Sequence, residues 1–296
     1  VRWAQQPLED GEDGNRMKLT GEQDNGSSTA HPRLSIVIPA YNECARIEST
    51  LERVLRCIAE RDWDAEVLVV DDGSTDETPE IVQRWMLANK GLHMVRNPGN
   101  CGKGYSVRNG LLQAAGEIVM FTDADLSSPI EEAELLIAAI ADGADVAIGS
   151  RWIERQKQTR HQPLYRRFFG RCYNKLTRLV MGLPFKDTQC GFKAFRREAA
   201  QTIFRLQTIE RWGFDPEILF IARKLKDKVV EVPVTWGHDE RSRLSYLKDG
   251  MKMLQEMAQI RWNSWRGRYD EAIAAMKDTS KMITPQVERV GHVEVR

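Results

Sequence analysis

Two aspartates one residue apart, Asp123 and Asp125, close the run Glu117-Ile-Val-Met-Phe-Thr-Asp123-Ala-Asp125. The apolar stretch before them has the composition of a buried strand, so both carboxylates stand where the chain leaves a sheet. From there they can converge on one point. A hard cation such as Mg²⁺ or Mn²⁺ suits paired carboxylates, and a diphosphate suits the cation. A second acidic turn, Asp71-Asp72-Gly73-Ser74, follows a similar run, Glu66–Val70. Two acid clusters at strand ends predict a nucleotide-using enzyme with its site along the carboxyl edge of a sheet. A lone Asp-x-Asp also serves as a helix-leading loop, with Asp125 favouring the positive end of a helix that opens near Pro129. Its weight comes from its place and its neighbours.

Those neighbours are several. Pro39-Ala40-Tyr41-Asn42-Glu43 marks a strand-to-helix turn, whose free backbone donors favour anions, although an ordinary capped turn reads equally well. A carboxylate in the Asp71–Asp76 loop can accept a hydrogen bond from a pyrimidine imide or from ribose hydroxyls. Asn100-Cys101-Gly102-Lys103-Gly104 is not a phosphate-binding P-loop, because Asn97 replaces the first glycine and Gly104 the hydroxyl residue. Lys103 on a glycine turn still suits a phosphate or sugar. Asp187-Thr188-Gln189-Cys190-Gly191-Phe192-Lys193 joins an acid, an amide and a base, a mixture that suits sugar hydroxyls; a turn with a buried Cys190 is the plain alternative. Gly149-Ser150-Arg151 and Arg241-Ser242-Arg243 add arginines matched to phosphate, or simply surface arginines.

The elements that must position these groups alternate over Leu34–Gly149. Strands are expected at Leu34–Ile38 (stopping at Pro39), Glu66–Val70, His93–Val95, Glu117–Phe121 and Asp145–Ile148. Helices are expected at Glu43–Glu60 with Asn42 as cap, Glu77–Ala88 behind Asp76, Gly102–Ala115 and Ile130–Ala141. The fold class is α/β, a mainly parallel sheet with helices on both faces. Beyond it lie a basic and aromatic helix at Tyr165–Met181, a strand at Gly191–Phe195, helices at Arg197–Leu206 and Phe214–Leu225, and a strand at Lys228–Val234. A long amphipathic helix at Leu244–Trp262 follows. Both amphipathic helices have a composition suited to a membrane interface, or to packing on the sheet. Residues 1–30 read as a disordered polar arm, 31–240 as the catalytic domain, 241–265 as the amphipathic segment and 266–296 as a polar tail.

Composition narrows the class. Lysine plus arginine equals aspartate plus glutamate at 43 each, so no global pull on nucleic acid is expected. The five cysteines have no Cys-x-x-Cys spacing and suit reduced thiols rather than a disulfide frame or zinc site. With no membrane-length apolar run and no apolar signal core, a cytoplasmic protein is expected, peripheral contact at the cytoplasmic membrane face being compatible with it.

Taken in order, Pro39-x-Tyr41-Asn42-Glu43, Asp71-Asp-Gly-Ser-x-Asp-x-Thr78, Asp123-Ala-Asp-Leu-Ser127 and Gly149-Ser-Arg151 resemble the inverting, family-2 type of GT-A glycosyltransferase. Within that superfamily the chain is similar to the polyprenyl-phosphate sugar synthases, on the dolichyl-phosphate β-glucosyltransferase branch. The narrower likeness is carried by Asn100–Gly104 with Val107-Arg108, Asp187–Phe195, Trp212–Asp215, Glu231–Trp236 and Ser242–Leu244, and it extends over about Leu34–Ile260.

The resemblance implies a nucleotide-sugar donor and a lipid-phosphate acceptor. It places Pro39, Ala40, Tyr41, Asn42, Glu43, Val70, Asp71 and Asp72 around the nucleotide, with Lys103, Asp123 and Ala124 in the same pocket. Asp123 and Asp125 would hold Mg²⁺ or Mn²⁺. Arg151 and Arg243 would meet phosphate, and Asp187 and Gln189 would grip the sugar. Arg243 stands where the family usually has lysine. The glucosyl enzymes of this type carry an N-terminal membrane anchor, whereas residues 1–30 are polar, so anchoring is expected elsewhere.

UDP-glucose is the favoured donor and GDP-mannose the alternative. A phosphate acceptor is already largely dianionic near neutral pH, its second pKa being about 6, and needs no general base. A soluble hydroxyl acceptor would need one, with Asp187 the first candidate. A nucleotide-sugar-binding scaffold on the same fold is the non-enzymatic alternative.

Overall fold

The computed structural model of the chain describes residues 33–154, 164–237 and 246–283. Its first half alternates β1 (Leu34–Ala40), α1 (Ile47–Glu60), β2 (Ala65–Asp71), α2 (Thr78–Ala88), β3 (Leu92–Arg96), α3 (Lys103–Gln113) and β4 (Ile118–Thr122). A single 3₁₀ turn at Ile130–Glu132 leads into α4 (Ala133–Ala141), and β5 (Val146–Ser150) follows. The second half comprises α5 (Leu164–Met181), β6 (Phe192–Arg196), α6 (Arg197–Leu206), α7 (Phe214–Leu225), β7 (Val229–Pro233), α8 (Tyr246–Trp265) and α9 (Arg268–Ile283).

The strands form one sheet in the order β3-β2-β1-β4-β6-β5-β7. Side-chain alternation builds two cores from it. Ile36, Ile38, Val67, Val69 and Met120 belong to the apolar layer shared with α1, α2 and α4. Val37, Leu68, Val70, Val119 and Phe121 belong to the opposite layer, with residues of α3, α6 and α7. A strand buried on both faces reads as a continuous apolar run, which is how these strands appear in the sequence.

Three features depart from or add to the sequence expectation. The sequence assigns the strand expected at Gly191–Phe195 no place in the sheet, and as β6 it enters between β4 and β5 and runs antiparallel to both within the mainly parallel sheet. The first strand does not stop at Pro39. It continues to Ala40 in register with β2, Pro39 opposite Val70, whereas its pairing with β4 ends at Val37 opposite Phe121. A proline is tolerated there because one neighbour has already departed. The stretch after Trp265, expected as a polar tail, forms α9. Residues 1–30 and the Arg241–Leu244 stretch lie outside the described residues.

The end of the β1–β4 pairing opens a fork at the carboxyl ends of the strands. It lies where the strand order reverses, with β2 and β3 on one side and β4 on the other, the position at which open α/β sheets take ligands.

The C-terminal helices dock through polar anchors. Glu217 on α7 is fully buried. Its carboxylate accepts from Thr208 N at 3.0 Å, Thr208 Oγ1 at 2.6 Å, Ile209 N at 2.8 Å and the Tyr269 hydroxyl of α9 at 2.7 Å. Burial pushes this carboxyl up, and the hydrogen bonds pull against it. Glu256 of α8 accepts from Gly213 N at 2.8 Å. Met253, Met257 and Ile260 of the α8 stripe are buried, while Met251, Trp262 and Trp265 remain exposed. No helix among the described residues is long and apolar enough to cross a membrane.

Tyr269→Phe removes one donor from a buried carboxylate. It is expected to lower stability by about 1–3 kcal/mol, read as a lower urea midpoint with unchanged secondary structure. An unchanged midpoint would refute the anchoring role of this hydrogen bond.

Candidate active site

Four loops meet at the fork, one after each of β1 to β4. The first two are tied together. Asn42 has a left-handed backbone, φ 53°, which asparagine tolerates better than most residues. It therefore does not cap α1, whose N-cap is Arg46. Instead its Oδ1 accepts from Thr75 N at 2.7 Å, and its own N–H donates to Ser74 Oγ at 2.8 Å. Glu43 N donates to Thr78 Oγ1 at 2.7 Å and Cys44 N to Asp76 Oδ2 at 3.1 Å. Asp76 also accepts from Thr78 N at 3.0 Å and Thr78 Oγ1 at 2.5 Å. Burial pushes the Asp76 carboxyl up, but the hydrogen bonds from Thr78 and Cys44 outweigh it and bring it down to about 2. The acidic string after β2 is thus a clamp on the turn that carries Tyr41 and Glu43.

Asp71 and Asp72 are buried and divide the work. Asp71 Oδ1 accepts from Ser74 N at 3.0 Å and closes its own turn. Asp72 reaches the third loop, accepting from Asn97 Nδ2 at 2.7 Å, Cys101 N at 3.0 Å and Gly102 N at 2.8 Å. Gly102 has φ +110°, and a Cβ there would lie 2.5 Å from Glu210 O. Only glycine fits, and that turn sets Lys103 at the start of α3. Val70 is fully buried in the sheet and Ala40 nearly so. Either one has only its backbone to offer to this crevice.

The fourth loop holds the acid pair. A tight turn brings Leu126 N to Asp123 O at 3.0 Å, with Leu126 at φ 44°, a strained position for a leucine. Asp125 Oδ1 accepts from Ser127 N at 2.9 Å, and the Ala124 carbonyl accepts from Thr50 Oγ1 at 2.5 Å. Asp123 packs against Gly191, where an added Cβ would lie 2.2 Å from its Oδ2. Lys103 Nζ stands 2.5 Å from Asp123 Oδ1. Arg46, which pairs with Glu43 at 2.6 Å, brings Nη1 to 4.0 Å from Asp125 Oδ2. Burial and the charge of Asp123 push the Asp125 carboxyl up, against the pull of Ser127 and Lys103. Such a carboxylate gains from an added cation. Two carboxylates on one turn form the partial set that Mg²⁺ or Mn²⁺ takes when substrate phosphates supply further oxygens. No group of three or more His, Cys, Asp or Glu placed to hold a metal ion occurs among the described residues.

Asp187 and Arg151 turn towards each other. Arg151 Nε and Nη2 lie 2.7 and 2.8 Å from the two Asp187 oxygens, and Arg151 N and Gln189 N donate to the same carboxylate at 3.0 and 3.2 Å. Asp187 is 1% exposed. Burial would push it up, but the Arg151 guanidinium outweighs that and holds it below the usual carboxylate range. Glu231 of β7 grips the backbone of this loop, accepting from Lys186 N at 2.8 Å and Asp187 N at 2.9 Å. Arg151 also lies over Trp236, 5.6 Å from the ring centroid. Gln189 is half-buried, and its side-chain amide has no hydrogen-bond partner among the described residues. Arg243 lies outside the described residues.

Lys193 is not with the polar groups that precede it. It is fully buried, donates to Cys190 O at 2.6 Å, pairs with Asp215 of α7 and lies over Phe121. Strand alternation could have signalled this, since Lys193 shares a face with Phe195. Arg46 also escaped notice, although it sits three residues after Glu43, on the same side of a helical turn.

Comparison with known proteins agrees with this geometry. The family model described as glycosyl transferase family 2 matches residues 35–204, more than half of the chain. The chain belongs to glycosyl transferase family 2. Among family-2 relatives, it is 36% identical over 239 residues to the dolichyl-phosphate beta-glucosyltransferase ALG5C of Trichomonas vaginalis, covering 76% of this chain and 70% of that protein. Solved GT-A glycosyltransferases share the fold. One is the mannosyltransferase PcManGT from Pyrobaculum calidifontis, solved with GDP-Man and Mn²⁺ (TM-score 0.51, 25% identity). The likeness covers 72% of this chain and 59% of that one, so it spans about three fifths of the mannosyltransferase. Another is glucosyl-3-phosphoglycerate synthase from Mycobacterium tuberculosis, solved with Mn²⁺, UDP and glucosyl-3-phosphoglycerate (TM-score 0.53, 21% identity, 77% and 78% of the two chains). At that identity it speaks for the fold alone.

The clamp has a pH signature. The Asp76 carboxyl is lowered from 3.8 to about 2 on folding, so its contribution is fully present above 3.8 and is lost as pH falls toward about 2. Asp76→Asn is therefore expected to give a shallower loss of urea midpoint as pH falls from 3.8 to about 2. An identical acid limb in both proteins would refute it.

Proposed function

We propose that this family-2 hexosyltransferase moves glucose from UDP-glucose to a dolichyl or other polyprenyl phosphate, with inversion at C1. The observation that carries the reading is the Arg151–Asp187 pair. The carboxylate best placed by sequence to act as a base has its oxygens filled by a guanidinium and two backbone donors and is held ionised. A hydroxyl acceptor would have to give up a proton to such a group. A phosphate monoester arrives already ionised. The name of the 36%-identical relative points to the same acceptor and sugar.

The residues then have these parts. Tyr41 and Glu43, on the clamped turn, flank the nucleoside with Asp71 and Asp72, and the Pro39, Ala40, Asn42 and Val70 backbones line its floor. Asp123 and Asp125 would hold a divalent cation together with the donor diphosphate, and Ala124 and Lys103 would border that diphosphate. When bound, the cation offsets the charge that develops on the departing nucleoside diphosphate. Asp187 orients Arg151 toward the attacking phosphate and, with Gln189, toward the sugar. Arg151 and Arg243 reduce the repulsion between two anionic substrates and align the attack. Exposed Leu176, Leu179, Trp262 and Trp265 offer an apolar surface for peripheral contact with the acceptor's membrane.

The test is transfer of labelled glucose from UDP-glucose to dolichyl phosphate with Mg²⁺ or Mn²⁺. Loss of transfer to every polyprenyl phosphate, with transfer to a soluble alcohol instead, would sink the reading. GDP-mannose in place of UDP-glucose would revise the donor only. Asp125→Ala is expected to lower turnover by about 10²-fold or more while the folded circular-dichroism spectrum persists. Near-normal metal-dependent turnover would remove Asp125 from the site.

A further inference from the structure

The two acids of the pair are treated differently by their surroundings. Asp125 has Arg46 at 4.0 Å, and Arg46 is itself engaged by Glu43 at 2.6 Å. Asp123 carries an ammonium in direct contact, Lys103 Nζ at 2.5 Å from Oδ1. The Lys103 side chain is only 17% exposed. Its ammonium lies 5.6 Å from the ring centroid of Trp212, just before α7, and 6.0 Å from that of Phe214, the first residue of α7. Two glycines hold the lysine's backbone in place. A Cβ at Gly102 would meet Glu210 O, and one at Gly104 would meet Ile209 O at 2.8 Å. Asp72 anchors the same turn through Gly102 N. Lys103 is therefore a built part of the crevice, and its contact is with one of the two carboxylates a cation would need.

We infer that Lys103 is a resident counter-ion for Asp123, displaced by the divalent cation only when a diphosphate arrives to receive the ammonium. The inference rests on the donor-site reading above and deepens it. A cation alone must break the Lys103–Asp123 pair and leave an ammonium without its carboxylate inside a poorly solvated crevice. A cation that arrives with a diphosphate brings oxygens for that ammonium to move onto. Metal and diphosphate are then linked ligands, each raising the affinity for the other. Lys103 is in this sense a positioning residue. It keeps the acid pair neutralised and compact while the donor is absent, and it turns to the leaving group when the donor is present.

The experiment is calorimetric titration of the wild-type protein, Lys103→Met and Lys103→Arg with Mn²⁺ alone, and with UDP and GDP each in the presence and absence of Mn²⁺. Lys103→Met should bind Mn²⁺ alone about tenfold more tightly than wild type and show a smaller coupling between Mn²⁺ and UDP, the wild-type coupling falling in the roughly 5- to 150-fold range of linked sites. Lys103→Arg, which keeps the charge, should retain the weak affinity for Mn²⁺ alone. Lys103→Gln replaces the methionine variant should the latter be recovered unfolded. Equal affinity for Mn²⁺ alone in wild type and the uncharged variant, with UDP and Mn²⁺ still binding together to wild type, would overturn the exchange and leave the donor reading standing. Failure of the wild type to bind either UDP or GDP with Mn²⁺ would overturn the donor reading and the exchange with it.

Discussion

Lys193 is buried with Asp215 between the sheet and α7, and the crevice above depends on that pairing. An isolated ammonium in an apolar layer would lose its proton or its place. Asp215 removes that difficulty and also adds its charge to the environment of Lys103, whose ammonium is held protonated by Asp123 and Asp215 against the effect of burial. Positive and negative groups therefore alternate from the core to the surface: Lys193, Asp215, Lys103, Asp123. Burying charges costs several kcal/mol for each ion unless partners are close, and a break in such a sequence strands a charge rather than merely losing a contact. Asp215 and Lys193 come from the Trp212–Asp215 and Asp187–Lys193 segments. This is a physical reason for those two segments to occur together.

The same principle of mutual neutralisation explains how the crevice can hold so many acids. Asp72 is filled by two backbone donors and one amide, Asp76 by Thr78 and Cys44, and Asp187 by Arg151. Each of these carboxylates secures a loop. Asp125 is the exception among them, since burial and its neighbour's charge work against its ionised form. In the proposed reaction the demand falls on charge placement at two sites, the leaving group and the incoming phosphate, with the loops held still by hydrogen bonds drawn from the acidic residues themselves.

Much of this was legible in the chain. The limits of α6 and α7 follow from their periodic apolar faces, and β2 and β4 follow from their apolar runs. Asp123 and Asp125 were legible because position after a buried strand gives a short motif its meaning. What stayed hidden was long-range. Nothing local in Phe192–Arg196 tells that this strand reverses direction inside the sheet. Arg151 and Asp187 are separated by 36 residues, and neither announces the other. Asn42 looked like a helix cap because its neighbours suit a helix, but the demand of the adjacent loop for an acceptor put it in a left-handed turn. The stretch after Trp265 looked like a tail because it is polar, and Tyr269 with its hydroxyl on Glu217 is enough to dock it.

The insertion of β6 also sets an order on assembly of the protein during synthesis. Until residue 196 has been made, β4 has a bare side, and β5, already made, has no strand between it and the rest of the sheet. A nascent chain of the first 190 residues can pair β1 to β4 but must hold an unpaired, strongly apolar edge at Val119–Phe121. Exposed edges of that kind recruit other chains. The segment that covers this edge begins directly after the Asp187 loop, so the strand that protects β4 is continuous with the loop that faces Arg151. A nascent chain that stops short of this segment is thus adhesive at β4 and still lacks Gly191, against which Asp123 packs.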